Sequence, residues 1–95
     1  MAAYLIVNVE ITDPVRYQDY LKAVPATIAA YGGRYLVRGG RAERLEGTYD
    51  PKRVVVLEFE SAERARAWWS SIEYAGPKAI RQASANTDLV LVEGI

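Results

Sequence analysis

Cysteine and histidine are both absent from this chain of 95 residues. Without cysteine there is no disulfide and no thiolate nucleophile, and without histidine there is no imidazole for acid–base chemistry. Together the two absences exclude most zinc and iron sites, whose ligands are mainly these residue types. A Mg²⁺ or Ca²⁺ site would need a cluster of acidic residues in one loop, and none is present. We therefore expect no metal and no other cofactor.

An excess of charge of either sign is also missing, because 12 Lys and Arg balance 12 Asp and Glu. Proteins that bind nucleic acids or anionic membranes usually carry a clear basic excess, so neither partner is expected. No apolar run approaches the roughly 18 residues of a membrane span, and the N-terminus lacks the pattern of a secretion signal. These features predict a cytoplasmic protein.

The residues that are present are typical of a small globular protein: 51% are apolar and 25% are charged. A chain of this length makes one domain, here residues 1–95. Such a domain buries only about 60–68% of the surface that its unfolded chain exposes. Its core is thin, and a partner subunit would stabilise it.

One short segment, residues 53–60, organises the predicted fold. It is rich in β-branched residues and lies between turn and helix-capping residues, which is typical of a strand. One face carries Val55, Leu57 and Phe59. The other face carries Val54, Val56 and Glu58. Because a solvated face would not carry two valines, both faces are expected to be covered, and the second covered face contains an acid.

The remaining elements follow from periodicity and capping residues. Strands are predicted at residues 3–11, 34–38 and 87–93, with pairing resumed at residues 42–46. Asp13 and Pro14 start a first helix, and Pro25 is expected to kink or split it. Ser61 caps a second helix, whose buried face is predicted to comprise Ala65, Trp68, Trp69 and Ile72. A third helix covers residues 73–84, with Ile80 and Ala83 facing inward.

The order strand, helix, strand, strand, broken helix, strand predicts an α+β fold of the ferredoxin-like βαββαβ type. Right-handed crossovers place the first and third strands in the middle of a four-stranded antiparallel sheet, with the helices on one face. An apolar patch remains on the other face, formed by Ile6, Leu36, Val54, Val56, Val90 and Val92. A second copy of the same sheet would cover this patch as a barrel-like homodimer. If one strand has its two faces exchanged, the patch is smaller.

A set of motifs runs along nearly the whole chain. They are Asp13-Pro14 with Tyr17 and Tyr20, residues 32–40 (GGRYLVRGG), residues 45–47 (LEG), residues 53–59 (RVVVLEF), Trp69 with Ser71, Glu73 and Tyr74, and residues 91–94 (LVEG). In this order they resemble the bacterial family called domain of unknown function 1330. The resemblance implies the dimeric α/β-barrel superfamily, which also contains cofactor-free monooxygenases and muconolactone isomerases, and hence a homodimer. It implies no particular activity, because the family has none established.

The face away from the helices is predicted to carry a small polar group in apolar surroundings. Asn8 and Glu58 lie on the two middle strands, and Arg38, with Arg34 as the alternative, lies on the strand beside Glu58. Glu58 is a candidate general base or positioning carboxylate, and Arg38 is a candidate anchor for an anionic or carbonyl group. The alternative is a buried Glu–Arg pair with a purely structural role.

Aromatic residues form a second group of candidates. Tyr4 and Tyr35 are expected to add hydroxyl groups to the polar site. Trp69 is expected to line a cleft between helix and sheet together with Tyr17, Tyr20 or Tyr74. Such a cleft would suit a flat organic ligand. The alternative is that Trp68 and Trp69 both belong to the core.

Two functions from different classes remain open. In the first, the protein is a homodimer that binds a small organic molecule and, if it is an enzyme, converts it by cofactor-free isomerisation or oxygenation, with Glu58 as base and Arg38 and Asn8 as anchors. In the second, the protein is a non-catalytic binding or interaction module with a packed barrel interior. The room left inside the fold distinguishes the two.

Overall fold

A computed structural model describes all 95 residues. The elements, in chain order, are β1 (Ala3–Ile11), α1 (Pro14–Ala30), β2 (Arg34–Arg38), β3 (Arg53–Phe59), α2 (Ala62–Trp69), α3 (Ile72–Ser84) and β4 (Ala85–Glu93). The strands form one antiparallel sheet in the order β2-β3-β1-β4. The predicted α+β ferredoxin-like fold is therefore confirmed, with the first and third strands in the middle. None of the three helices has both the length and the apolar character needed to cross a membrane.

Strand β1 determines which side of the sheet faces the helices. Its residues Leu5, Val7 and Val9 are buried, and they alternate with partly exposed residues. Leu5 lies opposite Leu57 of β3 and opposite Leu91 of β4. Because residues in register on neighbouring strands point to the same face, these three leucines lie on one side of the sheet, beneath the helices. We call this side the helix-facing side and the opposite side the open face.

Helix α1 begins and ends where the sequence predicts. The side chain of Asp13 accepts a hydrogen bond from a backbone N–H of the first turn. The helix runs through Pro25 in one piece, so the predicted split is wrong; buried residues on either side of the proline offset its lost hydrogen bond. After the helix, Gly33 leaves no room for a side chain, because a Cβ there would lie 2.6 Å from the ring of Phe59 and 2.9 Å from Ile28.

Two serines divide the second helical segment. Ser61 caps α2 and Ser71 caps α3, each by accepting a hydrogen bond from the backbone N–H three residues later. Between the two helices and the sheet, the ring centroid of Trp68 lies 4.0 Å from that of Tyr74 and 5.7 Å from that of Phe59. These rings form the centre of the core, and all three side chains are fully buried.

The predicted buried face of α2 is wrong in part. Trp68 is buried, but Trp69 is 42% exposed and Ile72 is 88% exposed. The physical reason is that α2 ends at Trp69, so the inward stripe does not continue into the next, separately capped helix. In α3, Ile80 packs against the core as predicted, whereas Ala83 is exposed.

Strand β2 departs most from its prediction, because it contains a β-bulge at Leu36. After the bulge, Val37 lies opposite Val56 and Arg38 lies opposite Val55. Val37 therefore joins the open face and Arg38 joins the helix-facing side. The sequence predicted the reverse, because a period of two assumes that no residue is inserted in the strand.

The segment between β2 and β3 is an extended loop, and the strand predicted at residues 42–46 is absent. Strand β3 begins only at Arg53, so it offers that segment no partner. Residues 39–50 are exposed throughout. The loop starts at Gly39, whose N–H donates to the carbonyl of Val54 at 2.9 Å.

The open face carries an apolar surface, as predicted. Leu36 is 48% exposed, Val90 55% and Val92 47%, and Ile6 is partly exposed beside them. Through the bulge, Val37 adds a further side chain that is 39% exposed. The three helices lie on the other side of the sheet, so none of them covers these residues.

Candidate functional site

A pocket lies between the helices α1 and α3 and the helix-facing side of the sheet. We call it the helix–sheet pocket. Its floor and walls are mostly apolar, and its free volume is about 30 Å³, which is room for water molecules only. Four tyrosines line it: Tyr17, Tyr20, Tyr35 and Tyr74. Three arginines line it as well: Arg38, Arg53 and Arg81.

The three arginines have no acidic partner. Ion pairs within the chain use Arg34 and Lys52, and no carboxylate lies within 4.0 Å of the other three guanidinium groups. Arg81 is only 6% exposed, and its Nε donates to the hydroxyl of Tyr74 at 3.1 Å. The Nε of Arg53 is buried and has no hydrogen-bond acceptor at all. Since buried charges are normally paired, this arrangement leaves unbalanced positive charge at the pocket.

Two of the tyrosines form a buried hydrogen-bonded pair. The hydroxyl oxygens of Tyr20 and Tyr74 lie 2.8 Å apart. Because Arg81 donates to Tyr74, the chain Arg81–Tyr74–Tyr20 is continuous across the pocket wall. It fixes the guanidinium of Arg81 in the pocket without neutralising it.

Burial raises the pKa of three of the pocket tyrosines, Tyr17, Tyr20 and Tyr35. It raises the pKa of Tyr17 above its ordinary value, although the positive charge of Arg53 opposes the rise. Burial likewise raises the pKa of Tyr35, against the charge of Arg38. For Tyr20, burial and the neighbouring Tyr74 both raise the pKa. At neutral pH these phenols are therefore hydrogen-bond donors rather than bases.

The position of Arg53 follows from strand alternation, yet sequence reasoning missed it. Arg53 shares its side of β3 with Val55, Leu57 and Phe59, all of which lie against the helices. Arg81 was missed in the same way, although it follows Tyr74 by seven residues and so lies on the same face of α3. The signal available in both cases was an arginine in register with core residues.

Arg38, Tyr35 and Tyr17 were predicted as ligand-binding residues, and the structure brings these three together in the helix–sheet pocket. The guanidinium carbon of Arg38 lies 4.2 Å from the ring centroid of Tyr35, a cation–π arrangement. Arg38 is exposed although it lines the pocket, so it lies at the mouth. The sequence had placed Arg38 on the open face, which the bulge makes wrong.

Glu58 lies on the open face and is held by Arg34. The Nε of Arg34 donates to Oε1 of Glu58 at 2.6 Å, and a second guanidinium nitrogen contacts the same oxygen. The side chain of Glu58 is 20% exposed and that of Arg34 is 71% exposed. Tyr4 lies opposite Glu58 on β1. Glu58, Arg34 and Tyr4 do not line the helix–sheet pocket. Arg34, which the sequence offered as the alternative to Arg38, is the arginine that pairs with Glu58.

The side chain of Asn8 forms two hydrogen bonds with the backbone at the end of the long loop. Its side-chain amide donates to the carbonyl of Asp50 at 3.0 Å, and its oxygen accepts from the N–H of Lys52 at 2.7 Å. Tyr4 lies opposite Glu58, and Asn8 lies four residues further along β1. Asn8 is therefore displaced from Glu58 by about 13 Å along the strand direction. The predicted polar group of Asn8, Glu58 and Arg38 is therefore wrong, since register and bulge separate its members.

Trp69, the last predicted ligand-binding residue, lies at the end of α2 outside the helix–sheet pocket. The Nζ of Lys78 lies 3.8 Å from its ring centroid and donates to its backbone carbonyl at 3.0 Å. A shallow depression of about 670 Å³ lies along the first half of β4, and both Trp69 and Arg81 line it. No three acidic side chains meet in a way that would hold a metal ion.

Comparison with known proteins identifies the family of this chain. The family model described as domain of unknown function DUF1330 matches residues 2–95. The chain belongs to this family. No curated protein matches it. The DUF1330 description names no activity, so the chemistry of this member has to be inferred from its own residues.

Solved structures share the fold of this DUF1330 protein at low sequence identity. A protein of unknown function from Rhodopseudomonas palustris is 15% identical with a TM-score of 0.81, over 99% of this chain and 82% of that chain. SnoaB, a cofactor-independent oxygenase from Streptomyces nogalater, is 10% identical with a TM-score of 0.63, over 99% and 93%. A conserved protein of unknown function from Bacteroides thetaiotaomicron is 18% identical with a TM-score of 0.64, over 98% and 97%. At these identities the likeness concerns the ferredoxin-like fold alone.

Proposed function

We propose that this protein binds a small organic anion in the helix–sheet pocket. The single observation that carries the proposal is that Arg38, Arg53 and Arg81 line one pocket and none has an acidic partner. Leaving a guanidinium desolvated and unpaired costs free energy, and an anionic ligand removes that cost. Arginine also binds carboxylates through two parallel hydrogen bonds, which favours this class of ligand.

The other lining residues favour a planar ligand. The phenol rings of Tyr17 and Tyr35 and the apolar side chains of the sheet offer flat contact surfaces on both sides of the pocket. The phenol hydroxyl groups stay protonated and would donate hydrogen bonds to ligand oxygens. An aromatic or conjugated acid satisfies both requirements.

Binding requires the pocket to open, because its present volume of about 30 Å³ is far below that of ordinary ligand pockets. Arg38 is the side chain best placed to move, since it is exposed and held only by its contact with the ring of Tyr35. In the bound state, Arg38 would leave this ring and pair with the ligand. The exposed loop that follows it, residues 39–50, would leave room for that movement.

If the protein is an enzyme, we propose cofactor-free isomerisation or oxygenation of the bound anion. The pocket contains no carboxylate, and burial raises the pKa of Tyr17, Tyr20 and Tyr35, so the contribution of the pocket would be electrostatic: the arginines would lower the pKa of a bound phenol or enol and stabilise the resulting anion. The likeness to SnoaB, described as a cofactor-independent oxygenase, agrees with this class. A role for Glu58 as base stays a prediction, and its pairing with Arg34 on the open face favours the structural alternative.

We further propose that the protein is a homodimer whose two open faces pack together. The exposed apolar side chains of Leu36, Val37, Val90 and Val92 support this proposal, because exposed patches of this kind are usually covered by a partner. A two-fold related copy presents the same patch and covers it without a second protein. The pair of Glu58 and Arg34 would then lie near the rim of the dimer interface.

A non-catalytic module with a packed interior is the second candidate function. The observation that favours it is the small free volume of the helix–sheet pocket, about 30 Å³. Packing of this density is normal for a core that binds nothing. It does not account for the unpaired guanidinium groups, which is why we place anion binding first.

Isothermal titration calorimetry with benzoate and its neutral analogue benzamide tests the proposal. Benzoate is expected to bind at least about tenfold more tightly than benzamide, because only benzoate pairs with a guanidinium group. Arg53→Met should abolish the difference, and Arg64→Met, which changes an arginine outside the pocket beside Tyr31, should preserve it. Equal binding of the two compounds, or an unchanged difference in Arg53→Met, would support the packed module.

A further inference from the structure

The three unpaired arginines lie at two different ends of the helix–sheet pocket. Arg38 and Arg53 lie at the end next to β2. The backbone of Gly39 shows this placement, because a Cβ at Gly39 would overlap the guanidinium of Arg53, and Gly39 directly follows Arg38. No carboxylate neutralises either guanidinium group, so this end is suited to hold an anionic group.

Arg81 marks the other end, next to β4. It projects from the last turn of α3, which leads directly into β4, and it lines both the pocket and the depression along β4. A second unpaired polar atom lies nearby: the buried Oγ1 of Thr87 has no hydrogen-bond partner. Thr87 also lines the depression that Arg81 reaches. Thr87 does not line the helix–sheet pocket, and the depression that it shares with Arg81 also carries the carboxylates of Glu10, Asp50 and Asp88, so Arg81 is the group that can pair with an anion at this end of the pocket.

The register of the sheet separates the two ends. Val9 of β1 lies opposite Arg53 of β3 and opposite Thr87 of β4, so these three residues form one row across the sheet. Two strand spacings, about 10 Å, therefore lie between the Cα atoms of Arg53 and Thr87. The buried side chain of Val9 occupies the middle of the row and keeps it apolar.

Tyr17 lies above this middle part. The positive charges of Arg53 and Arg81 both act on its hydroxyl, opposing the rise in its pKa that burial causes. Tyr17 lines the same pocket as Val9 and both of these arginines. Once the pocket opens, a flat apolar body can lie against the ring of Tyr17 and the floor at Val9.

We infer that the ligand of this pocket is a planar organic dianion with one acidic group at each end. One acid pairs with Arg38 and Arg53, the other pairs with Arg81, and the conjugated body lies between them, against Tyr17 and Val9. A dianion balances two of the three positive charges, whereas a monoanion leaves one end of the pocket desolvated and unpaired. This inference rests on the proposed binding of an organic anion and specifies its chemical class.

The test compares benzoate with two planar dicarboxylates of different length, terephthalate and naphthalene-2,6-dicarboxylate, by isothermal titration calorimetry on the full-length protein. At least one dicarboxylate is expected to bind about tenfold more tightly than benzoate, because a second charged group gains a guanidinium partner. Arg81→Met should reduce the affinity for that dicarboxylate to the affinity for benzoate. Arg64→Met, outside the pocket, should change neither affinity.

Arg81→Lys keeps the positive charge and serves if Arg81→Met does not fold. It should weaken the binding of the dicarboxylate several-fold and leave that of benzoate unchanged, since lysine cannot pair with a carboxylate through two parallel hydrogen bonds. Benzoate binding with no gain for either dicarboxylate would overturn the two-ended ligand and leave anion binding intact. A gain that survives both variants would also overturn it. Failure of all three acids to bind would overturn the proposed function itself.

Discussion

Gly39 lies against the guanidinium of Arg53, and a Cβ at Gly39 would overlap Nη1 of that arginine. Gly39 also has a φ of 71°, in the left-handed region that favours glycine. The backbone at the end of β2 thus provides both the turn into the long loop and the space for the Arg53 side chain. This contact makes the first prediction possible.

Substituting Gly39→Ala is expected to lower the free energy of unfolding by about 1–2 kcal/mol, because alanine is strained at this φ and displaces Arg53. It should also weaken benzoate binding. Gly40→Ala is the matched control, because a Cβ at Gly40 meets nothing within 4 Å. Urea unfolding and calorimetry measure the two effects. Equal stability and equal binding of the two variants would contradict the described contact.

Arg53→Met is expected to make the ligand-free protein more stable, by about 1 kcal/mol, because it removes a buried Nε that has no hydrogen-bond partner. The same variant should lose anion binding. This combination is typical of a residue kept for function rather than for stability. Urea unfolding without ligand measures the gain. A clear loss of stability would instead assign Arg53 a structural role.

The pair of Tyr20 and Tyr74 predicts how stability changes in alkaline solution. Burial raises the pKa of Tyr20 in the folded protein, so the unfolded chain loses this proton first. Its contribution is fully present below about pH 10 and is lost as the pH rises above that value, at up to about 1.4 kcal/mol per pH unit. Tyr20→Phe should flatten the decline, measured by urea unfolding between neutral and alkaline pH.

Tyr49→Phe serves as control for this pH dependence, because Tyr49 is 55% exposed in the long loop. Its decline above about pH 10 should match that of the unsubstituted protein. If Tyr20→Phe gave the same slope as this control, the buried hydroxyl pair would not be the source of the alkaline loss.

The open face predicts the oligomeric state. Val56→Lys places a charge in the middle of the sheet, where Val56 lies opposite Ile6, and should convert a dimer to monomers. Val15→Lys is the control, because Val15 is 83% exposed on α1, away from the open face, and should leave the dimer intact. Sedimentation velocity measures the mass. A dimer that tolerates Val56→Lys would require a different interface.

Glu58→Gln tests the predicted role of this acid. Because its partner Arg34 is largely exposed, loss of the ion pair should cost less than about 1 kcal/mol. Benzoate binding should be unchanged, since Glu58 does not line the helix–sheet pocket. Urea unfolding and calorimetry provide both values. Loss of binding or turnover in Glu58→Gln, with stability preserved, would restore Glu58 as a site residue.

Much of the fold could be predicted because local chemistry specifies it directly. The alternation in β1 fixes which face is buried, and Asp13 and Ser61 cap their helices through their own side chains. The bulge at Leu36 could not be predicted, because nothing local distinguishes a strand with an inserted residue from a regular one. That single residue moves Arg38 to the opposite side of the sheet.

The candidate site illustrates the same limit. Tyr17 was predicted to line a cleft together with Trp69; it lines the helix–sheet pocket from the helical stripe of α1, whereas Trp69 lies outside that pocket. Arg53 and Arg81 were overlooked, since a charged residue in register with core residues is usually assigned to the solvent side. Only the assembled pocket shows that neither arginine meets an acid.

The central claim, an anion held by the pocket arginines, is tested most directly by NMR of the arginine Nε–H signals during titration with benzoate. The claim predicts saturable shifts of the Arg38 and Arg53 signals, at one common dissociation constant, while the signals of Arg34 and Arg64 stay in place. Shifts confined to Arg34 and Arg64, or shifts that grow linearly without saturation, would contradict it.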